Sequence, residues 1–339
     1  MMKAVAYHSN DKPLSIEDIP VPEPGPGQLL LKVSACGICG SDLHAYQAGL
    51  APEGNVFGHE FAGEVAAVGE GAGEDWQPGD RATSVGVIVC GQCPKCTLGM
   101  MDQCEQIELI GFSRHGAYAE YVITQAASSV KIPDGIPWSQ AALVEPLAVG
   151  LAAYRDCQLA LGGNVLILGA GIIGITVVKW ARFFGAEHVA ISDLDSARLQ
   201  RAERVGATAS INAADQADAV QAFRDSTGVE PDVIVECVGR PMLQHLVDTA
   251  PHGAHIVSVG ASMEQDSIAP WTAAAKKIRL TFSFGYTPED FQFILRMMEG
   301  GRLDTDHLIT RRISLHQVPE AFTGLLEPND HCKIMIEPH

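Results

Sequence analysis

Residues 164–175, NVLILGAGIIGI, constrain this chain more than any other stretch. The apolar run Val165 to Leu168 has the length and composition of a buried strand, and a helical pattern continues from it through Phe184. Between them stand Gly169, Gly171, Ile172, Ile173 and Gly174, a G-x-G-x-x-G turn. Its glycines permit a tight turn and bring backbone N–H groups and a helix N-terminus close to a pyrophosphate. The next strand, HVAIS, ends at Asp193, about the distance downstream at which an acid meets adenosine ribose hydroxyls. Asp195 can serve as the cap of the following helix, SARLQRAERVGA, and Arg198 is the one nearby cation. Such a carboxylate favours NAD over NADP, because a 2′-phosphate would meet it with like charge. Strands alternating with helices from about residue 163 onward predict a doubly wound parallel sheet covered on both faces.

The rest of the chain needs a different architecture. With 339 residues and 47 % apolar content it is long enough for about two domains. The first 145 residues are dense in glycine and proline, and short runs such as LLLKVSA and EFAGEVAAV are separated by turn signals such as PVPEPGPGQ. That pattern predicts a β-rich, barrel-like region. After IRLTFSFGY come a helix, PEDFQFILRMMEGG, and a closing strand, KIMIEP, able to rejoin the first region. The formal charge of -18 argues against a nucleic-acid partner, since phosphate binding needs concentrated positive charge. The start, MMKAVAYHSN, lacks a secretory pattern, and no apolar run reaches the roughly 18 residues that span a bilayer, so a cytoplasmic protein with no membrane partner is expected.

In a reducing compartment nine cysteines are poor disulfide candidates, and their spacing points to metal. Cys90, Cys93, Cys96 and Cys104 form C-x2-C-x2-C-x7-C, four thiolates able to surround one tetrahedral ion. An iron–sulfur run would carry its fourth cysteine after three residues and before a proline, whereas here the gap is seven and Glu105 follows. Zinc is the better reading, and with no position left for water the site is structural. Cys36 and Cys39, in ACGICGSDLH, could be a redox couple, part of a zinc site or two buried thiols. Farther on, FGHEFAG places His59 beside Glu60, and LVEPLAVG supplies Glu145. Cys39, His59 and one carboxylate would give zinc a mixed set with an open position, the arrangement catalysis requires.

Taken in order, CGICGSDLH, GHEFAGEV, PGDRAT, the four-cysteine run, EPLAVG and LGAGIIG resemble the zinc-dependent medium-chain dehydrogenase/reductase family over essentially the whole chain. EPLAVG and CGSDLH are most similar to its polyol (sorbitol), butanediol and threonine dehydrogenase branch. The resemblance implies a GroES-like β-barrel catalytic domain over 1–146, completed by 286–339, a Rossmann domain over 147–285, and an active site in the cleft. It implies that Cys39 and His59 hold a catalytic zinc with Glu60 or Glu145, while Cys36 only packs. Asp42 matches the acid that orients the zinc-bound histidine, and its other reading is an N-cap. Ser41 matches the hydroxyl that hands on the alcohol proton and His44 the outer end of that relay, unless His44 is solvated surface. The implied reaction moves hydride between a small alcohol and NAD, with the corresponding carbonyl as product, in a homodimer or homotetramer. A secondary alcohol or diol is favoured, a primary alcohol or aldehyde remains open, and a non-enzymatic zinc or iron–sulfur module would leave the glycine loop, Asp193 and the Cys39, His59 and Glu60 set unexplained. Tyr46, Phe57 and Trp271 are candidate pocket residues, with packing in the core the equal alternative.

Overall fold

The computed structural model describes every residue except 99, 101, 102, 217 and 263. The chain divides into two units, Met1–Ala148 with Tyr286–His339, and Val149–Gly285.

The second unit is built on six parallel strands, Val165–Leu168, Val189–Asp193, Ala209–Asn212, Val233–Glu236, His255–Ser258 and Arg279–Phe282. Numbered in chain order, they lie 3-2-1-4-5-6 across the sheet. This is the doubly wound order of dinucleotide-binding folds, in which ligands sit beyond the carboxyl ends of the strands where the order reverses. That reversal falls between Val165–Leu168 and Val233–Glu236, and both strands are buried along their whole length. Burial on both faces explains why they read as unbroken apolar runs and not as alternation. Leu166, Ile234, Ile256 and Phe223 form part of the core. Gly169 stands at φ +94°, a conformation that favours glycine, and a Cβ on Gly174 would lie 1.8 Å from the Gly169 carbonyl oxygen. The strand-to-helix turn therefore tolerates no side chain at either position.

In the first unit the strand Gln28–Gly37 is the hub. It pairs antiparallel with Glu60–Val68, Tyr121–Gln125 and the C-terminal strand Lys333–Glu337. The seven-stranded sheet continues through Arg81–Ser84 to Ser129–Lys131 on one side and to Ile309–Ser314 on the other. Register shifts at Leu30/Leu31 and Val33/Ala35 increase its local twist. Phe57, Phe61, Tyr118 and Phe322 fill the core, with the Phe57 and Phe322 rings stacked at 6.0 Å. Pairing of Gly37 with Glu60 and of Met335 with Gly37 brings three distant segments to one place.

Candidate active site and metal centres

Cys39 caps the N-terminus of the helix Gly40–Ala48, and His59 immediately precedes the strand Glu60–Val68. Gly58 makes the sharp entry to that strand at φ +99°. The ligand atoms of Cys39, His59 and Glu60 lie within 4.8 Å of one another. Ser41 joins them, its hydroxyl donating to Cys39 Sγ at 3.1 Å and lying 3.3 Å from His59 Nε2. The other ring nitrogen, Nδ1, stands 3.3 Å from Asp42 Oδ1. Asp42 occupies the third position of the helix, and its Oδ2 accepts hydrogen bonds from the Cys39 N–H at 3.1 Å and the Tyr118 hydroxyl at 2.7 Å. The helix N-cap is Cys39, so Asp42 supports that cap from within the first turn.

The pocket is built for positive charge. Burial pushes the His59 imidazole toward neutrality, but the Asp42 carboxylate and the Cys39 thiolate outweigh it and hold its pKa well above the ordinary range. Among the described residues, Glu60 Oε2, His59 Nδ1 and Asp42 Oδ1 are buried without an aligned hydrogen-bond partner. His59 Nδ1 and Asp42 Oδ1 face each other, which leaves Glu60 Oε2 as the orphaned acceptor; beside the Cys39 sulfur and the His59 imidazole it fits a zinc ion with one open position.

Glu145, in the first turn of the helix Val144–Cys157, lies outside that tight group. Its Oε1 accepts from the Tyr286 hydroxyl at 2.5 Å. Burial pushes its carboxyl up to about 7, against the pull of His59. Glu60 instead is tied to Lys333, whose ammonium donates to Glu60 Oε1 at 2.6 Å and to the Ile38 carbonyl at 2.9 Å. A Cβ on Gly37 would fall 2.0 Å from Glu60 Oε2, so the carboxylate occupies the space a larger residue would take.

The second cluster gathers Cys90, Cys93, Cys96 and Cys104, again within 4.8 Å of one another. Cys90 Sγ lies 3.6 Å from Cys104 Sγ and 4.0 Å from Cys96 Sγ. Four sulfurs each about 2.3 Å from a tetrahedral ion stand about 3.8 Å apart, which these separations fit. Backbone N–H groups of residues 90, 93, 96 and 106 point at the sulfurs. Amides aimed at Cys93, chiefly that of Cys96, bring its thiol down to about 6.

In the second unit the helix Ile172–Phe183 opens at Gly171, where no side chain caps the N–H groups and an added Cβ would meet no protein atom within 4 Å. That open cradle fits a pyrophosphate, with Ile172 and Ile173 in the first turn. Asp193 Oδ2 accepts from the Ala170 N–H at 2.7 Å and Oδ1 from the Asp195 N–H at 2.9 Å. Asp195 caps the next helix by accepting from the N–H groups of Ala197 and Arg198. Asp193 is thereby anchored to the glycine loop, and Arg198 follows in the first turn.

His44 is exposed, and among the described residues no hydrogen bond joins it to Ser41. Phe57 is completely buried and Tyr46 nearly so, both in an aromatic core with Tyr7 and Phe322. Trp271, 83 % exposed, projects from the short helix Pro270–Ala275, none of whose residues is buried. Phe112, unremarked in the sequence, has its ring 5.2 Å from that of His59. Tyr118 and Tyr286 leave no signal in the sequence. Only Lys333 left a trace, as a cation leading the apolar strand KIMIE.

Comparison with known proteins gives concordant matches. Residues 25–134 match the alcohol dehydrogenase GroES-like domain, and residues 173–300 the zinc-binding dehydrogenase domain. The chain is 33 % identical over 353 aligned residues to a sorbitol dehydrogenase of Bacillus subtilis, covering 100 % of this chain and 98 % of that protein. Among solved structures, one described as that of a zinc-binding dehydrogenase of Sinorhizobium meliloti bound to NADP superposes with a TM-score of 0.89 at 33 % identity, over 100 % of this chain and 99 % of the other. The 2R,3R-butanediol dehydrogenase of Bacillus subtilis gives 0.88 at 30 % identity over 100 % of both chains.

Proposed function

This chain belongs to the zinc-dependent medium-chain dehydrogenase/reductase family, and from that premise we propose that it oxidises a secondary alcohol or diol, polyols included, using NAD. The observation that carries the reading is the convergence of Cys39, His59 and Glu60, with Ser41 beside them and Glu60 Oε2 buried without a partner. The sorbitol and butanediol activities named for relatives support a substrate with a secondary hydroxyl.

Zinc held by Cys39 Sγ, His59 Nε2 and Glu60 would supply Lewis acidity to the substrate oxygen, and the nicotinamide would take the hydride from the carbinol carbon. The chain's own residues hold and move the proton. Ser41 Oγ, beside Cys39 and His59 Nε2, accepts it from the substrate hydroxyl. His44 lies three residues along the same helix, on the same face and exposed, where it can release the proton to water. Asp42 keeps Nδ1 of His59 engaged so that Nε2 remains the donor atom. Cys90, Cys93, Cys96 and Cys104 would hold a second, structural zinc.

Elemental analysis of active enzyme is expected to give about two zinc ions per chain. A panel of polyols, vicinal diols and hydroxy amino acids should give nicotinamide absorbance with at least one member. Iron with sulfide, a single zinc in fully active enzyme, or turnover restricted to primary alcohols would overturn the reading.

For NAD over NADP the carrying residue is Asp193. A 2′-phosphate about 4 Å from it would cost about 1 kcal/mol per charge pair in water-like surroundings and about 4 at an effective dielectric of 20, roughly 5- to 1,000-fold in preference. Asp193→Ser with Leu194→Arg, the latter position exposed, should move kcat/KM toward NADP by at least about tenfold. An unaltered cofactor ratio, or equal use of both by the wild type, would leave Asp193 a structural anchor of the glycine loop.

Self-association as a homodimer or homotetramer belongs to the same proposal. The edge strand Arg279–Phe282 exposes Phe282, and Phe284 beyond it is 99 % exposed; an unpaired edge with apolar residues supports pairing with another copy. Among the described residues no helix is long and apolar enough to cross a membrane; a cytoplasmic site of action belongs to the same proposal, supported by nine cysteines of which none is in a disulfide.

A further inference from the structure

Asp42 is completely buried, and one of its three polar neighbours belongs to a part of the chain with no evident role in the site. That neighbour is Tyr118, also completely buried, whose hydroxyl donates to Asp42 Oδ2 at 2.7 Å across 76 residues of sequence. The tyrosine is held from several sides. Its N–H donates to the Phe57 carbonyl at 2.9 Å, its carbonyl accepts from Val5 at 2.8 Å, and the adjoining Ala117 N–H donates to the Gly58 carbonyl at 2.8 Å. Its ring lies directly against the backbone of Gly58, where an added Cβ would come within 2.5 Å of Tyr118 Cδ1. One residue thus braces the turn that delivers His59 and grips the carboxylate that faces His59 Nδ1.

We propose that Tyr118 is a positioning residue for the mixed metal site: its hydroxyl fixes the rotation of the Asp42 carboxylate, which fixes His59 with Nε2 toward Cys39 and Ser41, and so sets how tightly that site holds zinc. The backbone N–H of Cys39 alone, at 3.1 Å, leaves the carboxylate free to swing about that contact. Adding the Tyr118 hydroxyl at Oδ2 leaves Oδ1 directed at His59 Nδ1, 3.3 Å away. A phenylalanine would fill nearly the same volume and rest on Gly58 equally well, so what the hydroxyl adds is orientation. Groups that orient a metal-bound histidine are worth about 10- to 100-fold in metal affinity, and a hydrogen bond to a charged acceptor is of comparable strength. Tyr118, acting through Asp42, is assigned the lower end of that range, about tenfold.

This inference rests on reading Cys39, His59 and Glu60 as a zinc site, and its test keeps the two apart. Chelator competition on the zinc-loaded enzyme, with Tyr118→Phe, Asp42→Ala and the double variant, resolves two classes of ion. Tyr118→Phe is expected to weaken the mixed-site zinc about tenfold, leaving the four-thiolate zinc unchanged. In the Asp42→Ala background the same substitution should change affinity by less than about twofold, because the link through which it acts is gone. Cobalt substituted at the mixed site should show a shifted visible absorption in Tyr118→Phe, a response that a loss of general stability does not produce. Wild-type affinity and an unshifted cobalt spectrum in Tyr118→Phe would overturn the proposal, as would an equal effect of the substitution with and without Asp42. A wild type that carries zinc at the four cysteines alone would overturn the site reading, and this inference with it.

Discussion

Cys39→Ser is expected to lower kcat about 10³-fold or more while leaving a folded protein that keeps one zinc ion per chain. Serine is absent from the usual zinc donors, cysteine thiolate, histidine and carboxylate, so the mixed site loses one of its few protein ligands. The Lewis acidity lost with the ion is worth several kcal/mol in the transition state, at about 1.36 kcal/mol per factor of ten. Folding should survive because Cys39 is the N-cap of the helix Gly40–Ala48, a position serine fills better than cysteine does. His59→Ala is a less clean probe, since it strands the buried Asp42 carboxylate facing Nδ1. Cys93→Ser provides the opposite control. Among the described residues, that lobe's apolar cluster is Val89 with Cys93, Cys96 and Cys104, and Cys90 packed against them, so the ion substitutes for a core. Its loss should appear as faster proteolysis around residues 90–104, with kcat of the intact molecules near wild type. Near-normal kcat in Cys39→Ser, with a normal circular dichroism spectrum, would remove Cys39 from the catalytic assignment.

What could be read in the sequence was whatever the chain encodes locally. The glycine turn at 169–174 and the cysteines at 90–104 are spaced by their own backbone, so a reader who knows what a tight turn or a tetrahedral ion requires can place them. The alternation of apolar strands and helices after residue 163 carries its period in the same way, and it leads to the parallel sheet observed. The groups that complete the mixed site are different in kind. Lys333 meets Glu60 across 273 residues, Tyr286 meets Glu145 across 141, and Tyr118 meets Asp42 across 76. Each is an ordinary residue type in an ordinary strand or loop until the fold brings its partner to it. The aromatic candidates, divided between pocket and core, were undecided for the converse reason. Phe57 stands two residues before His59, but it is turned into the core against Phe322, and sequence proximity says nothing about which way a side chain faces. Trp271 sits in a six-residue helix without a buried face, where no periodicity could have placed it.

Lys333 carries the second large effect, and it falls on stability. Both Lys333 and Glu60 are at most 1 % exposed, with Nζ and Oε1 2.6 Å apart. Removing one member of a buried pair leaves an uncompensated charge, at a cost of about 3–5 kcal/mol. Lys333→Met keeps most of the aliphatic stem but strands the Glu60 carboxylate and deprives the Ile38 carbonyl of its donor at 2.9 Å. The strand Lys333–Glu337 pairs with Gln28–Gly37, so the loss falls at the seam that ties the C-terminal segment to the first unit. In chelator-treated protein, urea unfolding followed by circular dichroism should therefore show Lys333→Met less stable by about 3–5 kcal/mol. Adding Glu60→Gln should restore most of that loss, because a neutral amide in the same place has no charge to strand. The metal-loaded protein should suffer less than the metal-free one, since a Glu60 released from its ammonium has both oxygens free to face a cation. A Lys333→Met protein within about 1 kcal/mol of wild type without metal, or a double variant no better than the single, would show that solvent or another cation reaches Glu60 when the ammonium is gone.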